Sequence, residues 1–145
     1  MPNLNRTLLA EFFVEGRPVP QSRPRVVTKG GKSWAFSDRS PALRDWKRRI
    51  AFVAKDAYKG EPATGAVELL VCFLMSAPKK GGEGYHVKRP DLDNLLKAGK
   101  DALSGIVWID DSQVSLTTAV KRYRRDGEES GVQVKVWRIG YEDKI

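Results

Sequence analysis

The run Val67–Met75 does most to limit what this chain can fold into. It reads as a strand that is apolar on both faces. Such a strand needs cover above and below, so it belongs in the middle of a sheet. The rest of the chain must supply neighbours and a lid. Leu8–Val14 is rich in aromatic and branched residues and predicts another strand. Gly16-Arg17-Pro18-Val19-Pro20 ends it, because proline cannot donate to a ladder. Arg25–Thr28 and Ser33–Phe36 flank Lys29-Gly30-Gly31-Lys32 and predict a hairpin, with the glycine pair taking the positive φ angles of a tight turn. Gly31-Lys32-Ser33 resembles the end of a phosphate-binding loop, but Val26 stands where that motif needs its first glycine.

Two helices provide the lid. Ser40-Pro41 is a hydroxyl cap followed by proline at the first helical position. Leu43, Trp46, Ile50, Val53 and Ala57 then form one apolar stripe. The second helix runs from Asp91 to about Ser104, buries Leu92, Leu95, Leu96 and Leu103, and closes at Gly105. Gln113–Tyr123 and Gly131–Ile139 are two further strands. The order β-ββ-α-β-α-β-β predicts an α+β fold: one domain over 1–145, a mixed sheet with two main helices packed on it. A flexible loop is expected over 76–90 and a short tail over 140–145.

Charge is unevenly placed. The chain of 145 residues carries a net +8. Residues 17–59 hold twelve Lys/Arg and three Asp, a net of +9, so the remainder is close to neutral. A basic surface of this kind favours a polyanion, first nucleic acid and then an anionic membrane. The expected DNA contacts are Arg17, Arg23, Arg25, Lys29, Lys32, Arg44, Lys47 and Arg48, with Lys88 and Arg89 from the long loop. Trp34, Phe36 and Trp46 lie in the same region; exposed aromatics stack on unpaired bases, whereas Trp46 sits on the apolar stripe and reads as core. A single cysteine excludes an intramolecular disulfide and a Cys-based zinc cage. The single histidine, His86, disfavours His-rich metal sites. No membrane span or signal peptide is read, no organic cofactor is expected, and the expected compartment is the cytoplasm.

Against this basic background five aspartates cluster: Asp91, Asp93, Asp101, Asp110 and Asp111. Crowded carboxylates repel one another, and a divalent cation removes that penalty. Asp91 and Asp93 stand at a loop-to-helix junction, where both carboxylates can reach one ion. Lys97 lies one turn beyond Asp93 on the same face. A return of the chain across the sheet would set Asp110-Asp111 beside the first pair. Asp101 reads as a partner of Lys97 or Lys100. The plainer reading makes Asp91 a helix cap, Asp93 and Lys97 a surface pair, and Asp110-Asp111 a turn. The chemistry that the full cluster supports is phosphodiester hydrolysis, with a lysine to stabilise growing negative charge.

Three stretches resemble one family. They are Arg89-Pro90-Asp91-Leu92-Asp93-Asn94-Leu95-Leu96-Lys97, then Asp101-Ala102-Leu103, then Trp108-Ile109-Asp110-Asp111-Ser112-Gln113-Val114. With Gly16-Arg17-Pro18 and Arg23-Pro24-Arg25, they resemble the RusA family of Holliday junction resolvases. The resemblance implies a homodimeric, Mg²⁺-dependent endonuclease that makes paired nicks in four-way DNA junctions during recombination and repair. Mn²⁺ is a possible substitute, and many such enzymes are carried by phages or prophages. It also implies that Asp91 and Asp93 bind metal, that Lys97 is catalytic, and that the downstream ligand is Asp111, with Asp110 close behind. Pro90 stands where some relatives carry a basic residue, a place Arg89 takes.

Two alternatives keep the same surface. One is a metal-dependent nuclease acting on other branched or duplex nucleic acid. The other is a non-catalytic DNA-binding module, in which the aspartates would only weaken phosphate binding unless a cation sat among them.

Overall fold

A computed structural model of the chain describes residues 3–22, 25–36, 40–78 and 83–142. Four strands form one sheet in the order β1-β6-β4-β5, where β1 is Asn3–Glu15, β4 is Val67–Met75, β5 is Val114–Tyr123 and β6 is Gly131–Glu142. β1 and β4 both pair antiparallel to β6, while β4 and β5 are parallel. The fold is thus the expected mixed sheet. The expected hairpin also forms: β2 (Arg25–Lys29) and β3 (Lys32–Phe36) make a separate two-stranded sheet. Gly30 and Gly31 turn it at φ 60° and 76°, a left-handed conformation that suits glycine at both positions.

The helices α1 (Pro41–Ala57) and α2 (Leu92–Leu103) pack on one face of the sheet. Ser40 caps α1 by accepting from Leu43 N at 3.3 Å. Leu43, Trp46, Ile50 and Ala54 of α1 are buried, but Ala57 is exposed, so the stripe ends one turn earlier than expected. From α2 the chain buries Leu95, Ala98, Gly99, Ala102 and Leu103, and leaves Leu92 and Leu96 half-covered. These side chains meet Val67, Leu69, Val71, Phe73 and Met75 of β4, which alternate onto the helix side. Val132, Val134 and Val136 of β6 join them, with Phe12 and Val14 of β1.

The other face of β4 departs from the expectation of full apolar cover. Leu70 and Cys72 are half-buried there. Glu68 is buried, and the Arg6 guanidinium grips both of its oxygens at 2.7 and 2.5 Å. Burying a carboxylate requires such a partner. The approach of β1 to β6 depends on Gly131, where a Cβ would stand 2.1 Å from the Val14 carbonyl oxygen.

Two boundaries differ from the sequence reading. β6 continues through Glu142, because β1 reaches back to Asn3 and offers Glu142 a partner; this takes up half of the expected tail. The described part of the long loop is docked rather than loose: His86 N donates to Lys121 O and Tyr123 N to Gly84 O. Residues 79–82 of that loop lie outside the described residues. Among the described residues, no helix is long and apolar enough to cross a membrane.

Candidate active site

The parallel pair decides where the acidic residues go. Parallel strands need a crossover that carries the chain back, and here the crossover contains α2. The N-terminus of α2 therefore lies at the carboxyl ends of β4 and β5, and its C-terminus at their amino ends. Asp91 is the residue capping the start of α2, in extended conformation, with no side-chain cap bond. Asp93 follows in the first turn, and both are exposed. Lys97, half-buried, comes one turn later. Carboxyl ends of parallel strands are the usual place for ligands in sheets with crossover helices.

A cleft of about 1010 Å³ opens at this end. Its walls are Arg17, Pro18, Val19, Pro20 and Ser22 after β1, Ala42 of α1, and Met75 and Ser76 after β4. His86, Arg89, Pro90, Asp91 and Asn94 complete it. Two contacts hold the segment after β1 across α2. Gln21 N donates to Asn94 O at 3.0 Å, and Gln21 Nε2 donates to Asp101 Oδ2 at 2.8 Å. Lys47 of α1 also reaches Asp101 Oδ2, at 3.3 Å. Asp101 thus ties three segments together, and its observed partners are Gln21 and Lys47 rather than Lys97 or Lys100.

Below the Asp91 turn stands Lys121 of β5. Its ammonium donates to Lys88 O at 2.6 Å and to Pro90 O at 2.7 Å. One lysine therefore fixes both carbonyls just ahead of the acidic pair. The sequence reading does not include Lys121, whose place rests on the strand register: it falls on the helix side of β5, opposite Phe73. His86 was also passed over as a site residue. Its ring meets Tyr123 edge-on at 5.0 Å, and its Nδ1 is buried with no partner among the described residues. Burial first, then Lys121 and Lys88, push its pKa below 6.5, so the ring is neutral at pH 7.

Asp110 and Asp111 lie at the opposite end. They precede β5, beside the start of β4, where Gln113 Nε2 donates to Ala63 O and Gly65 O at 2.7 and 2.9 Å. The twelve residues of α2 alone span about 18 Å. The expected return beside Asp91 and Asp93 does not occur within one chain. Asp110 caps the 3₁₀ turn Asp111–Gln113: its carboxylate accepts from Ser112 N at 2.9 Å, and the Gln113 side chain answers to Asp110 N. Ser112 holds the Asp110 carboxyl below its ordinary value of 3.8. Asp111 Oδ1 accepts from the indole of the fully buried Trp108 at 3.0 Å.

Among the described residues, no three acidic, His or Cys groups come together to hold a metal. One chain brings two carboxylates to the cleft end. Mg²⁺ commonly binds through one or two carboxylates and completes its shell with water and substrate phosphate, so the pair fits that ion. Mn²⁺ accepts the same oxygen donors.

Of the basic residues read as DNA contacts, Arg17 and Arg89 line the cleft, with Lys88 exposed beside it. Arg44 and Arg48 are exposed on α1, while Lys47 is partly covered by its pairing with Asp101. Arg25, Lys29 and Lys32 are exposed on the hairpin. Arg23 lies outside the described residues.

Comparison with known proteins identifies the family of the chain. The model of the family described as Endodeoxyribonuclease RusA matches residues 15–137. An uncharacterised protein of Bacillus subtilis (strain 168), YqaN, is 32% identical over 142 residues, covering 89% of this chain and 96% of that protein. The matched span runs from the end of β1 to within β6 and contains the cleft, the acidic turn of α2 and Asp110-Asp111, and the chain belongs to the RusA endodeoxyribonuclease family.

Proposed function

We propose that this chain is a divalent-metal-dependent endonuclease that resolves four-way DNA junctions by paired nicks, in recombination and repair. The observation that carries the reading is exposed Asp91, lining a cleft edged by arginines, with Asp93 and Lys97 following it in the first turns of α2. Asp91 and Asp93 are the groups that would hold Mg²⁺. When bound, the ion supplies Lewis acidity to the phosphodiester and to the attacking water. The chain's own groups do the rest. Arg17 and Arg89 bind phosphates at the cleft rim. The Lys97 ammonium stabilises negative charge on the leaving oxygen. Lys121 keeps the turn before Asp91 from moving, through the Lys88 and Pro90 carbonyls.

Asp111 has a place in this reading only through a second copy. It sits at the far end of the same chain from Asp91. A two-fold dimer matches the symmetry of a four-way junction, and with its axis across α2 it sets one subunit end for end against the other. The third carboxylate of each site is then Asp111 of the partner subunit.

The first experiment cuts a synthetic four-way junction and a matched linear duplex, in Mg²⁺ or in EDTA, with wild type and Asp93→Asn. Paired nicks in the junction alone, requiring Mg²⁺ and lost in the variant, support the reading. Tight junction binding with no cleavage in any metal overturns it in favour of a binding module. Mixing tests the shared site. Asp93→Asn and Asp111→Asn are each inactive alone, and a mixed dimer regains one intact site if the partner supplies Asp111. If the mixture stays inactive although mixed dimers form, the third ligand is not shared in this way.

A further inference from the structure

The hairpin β2–β3 is built unlike the rest of the molecule. Its only substantial packing among the described residues is strand on strand. Residues paired across an antiparallel ladder share a face. The register pairs Val27 with Trp34 and Lys29 with Lys32, and puts Arg25 on the same face as Val27. The alternate positions differ in carrying no cation and no aromatic ring. Thr28 and Ser33 hydrogen-bond through their hydroxyls at 3.2 Å, beside the pair Val26 and Ala35, with no charge. One face thus carries an apolar pair flanked by cations at both ends. Trp34 is 46% exposed and Val27 45%. Residues 25–36 contain no acidic residue.

A large aromatic held in water on an arm, ringed by cations, suits a partner with flat apolar faces and phosphates. Bases within a duplex are already stacked on their neighbours. Bases at a branch point are the least costly to unstack, and an aromatic side chain can replace the lost neighbour. We propose that the Val27–Trp34 face of the hairpin is a stacking platform for an opened base at the branch point of DNA. Arg25, Lys29 and Lys32 engage the flanking phosphates. This inference rests on the reading of the chain as a branched-DNA nuclease, and it assigns the preference for branched over linear DNA to a residue outside the acidic site.

The test measures binding by fluorescence anisotropy in EDTA, with the full chain, an immobile four-way junction and a linear duplex of the same sequence. Trp34→Ala is expected to weaken junction binding roughly tenfold or more, with little change on the duplex. Trp34→Phe is expected to restore most of the loss. Lys29→Ala with Lys32→Ala weakens both substrates and flattens the salt dependence. Junction preference that survives Trp34→Ala overturns the platform alone. Equal losses on both substrates overturn it as well, as does a change in gel-filtration mass, which would assign the face to a protein contact. A wild type that prefers neither substrate overturns the branched-DNA reading and the platform together.

Discussion

The two acidic turns look alike in the sequence and differ in what their carboxylates are doing. At the carboxyl end of the parallel strands, Asp91 makes no side-chain cap bond, and it opens on a large cleft with arginines around it. At the amino end, Asp110 is engaged by the turn it caps, and Asp111 by the Trp108 indole. The first turn is held from outside, by Lys121 gripping main-chain carbonyls, and the Asp91 side chain has no part in capping it. The second holds itself together with its own side chains. A carboxylate that supports its own backbone has fewer lone pairs to offer a ligand.

The sharpest way to break this contrast is substitution at both ends. Asp91→Asn or Asp93→Asn should reduce junction cleavage on the order of 10³-fold or more, leaving melting and junction binding intact. Asp110→Asn should do the reverse, lowering the melting temperature and leaving the cleavage rate close to wild type. Comparable activity losses at Asp93 and Asp110 would end the distinction. Next comes Lys97→Ala, expected to cost roughly 10²–10³-fold in the single-turnover rate. Mn²⁺ binding followed by electron paramagnetic resonance should be unchanged in that variant. Lys121→Met should cost roughly 10–100-fold, in the manner of a residue that orients a ligand. Its signature is a shift of the Mg²⁺ activation curve to higher concentration, with junction affinity in EDTA unaltered. An unshifted Mg²⁺ curve would make Lys121 merely structural.

The smallest effect is in pH. His86 titrates below 6.5 in the folded chain, so the unfolded chain takes up its proton first as pH falls. Stability tied to neutral His86 is complete above 6.5 and declines as pH drops toward the lowered folded value. Asp110 is also lowered, from 3.8, so its contribution holds until pH falls below that value. Melting curves of wild type, His86→Phe and Asp110→Asn from pH 7 to 3 should therefore separate the two ends. Wild type loses ground to His86→Phe below 6.5, whereas its advantage over Asp110→Asn persists until below 3.8. Loss of both differences over one pH range would remove the separation.

Most of the elements were legible because each rests on local chemistry. Ser40-Pro41 starts a helix and Gly30-Gly31 turns a hairpin through bonds and dihedrals that involve near neighbours. The acidic residues and Lys97 were legible as a motif for the same reason: one helical turn sets Asp93 and Lys97 on one face. Lys121 was not legible as a site residue, since its partners, Lys88 and Pro90, lie more than thirty residues earlier. Asp101 misled for a similar reason: Lys97, one helical turn away, and Lys100, next to it in the chain, looked like its natural partners, but Gln21 and Lys47 arrive from other segments.

The sequence by itself determined most of the strands and helices, the inner place of Val67–Met75 in the sheet, the basic stretch 17–59 and the residue types of a phosphodiester site. Only the tertiary structure decided that β4 and β5 run parallel. That choice carries α2 back along the sheet, and it sends Asp91 and Asp110 to opposite ends of it. Spacing along the chain cannot encode that outcome, because the direction of a strand relative to its neighbour is set by which surfaces the whole core must cover.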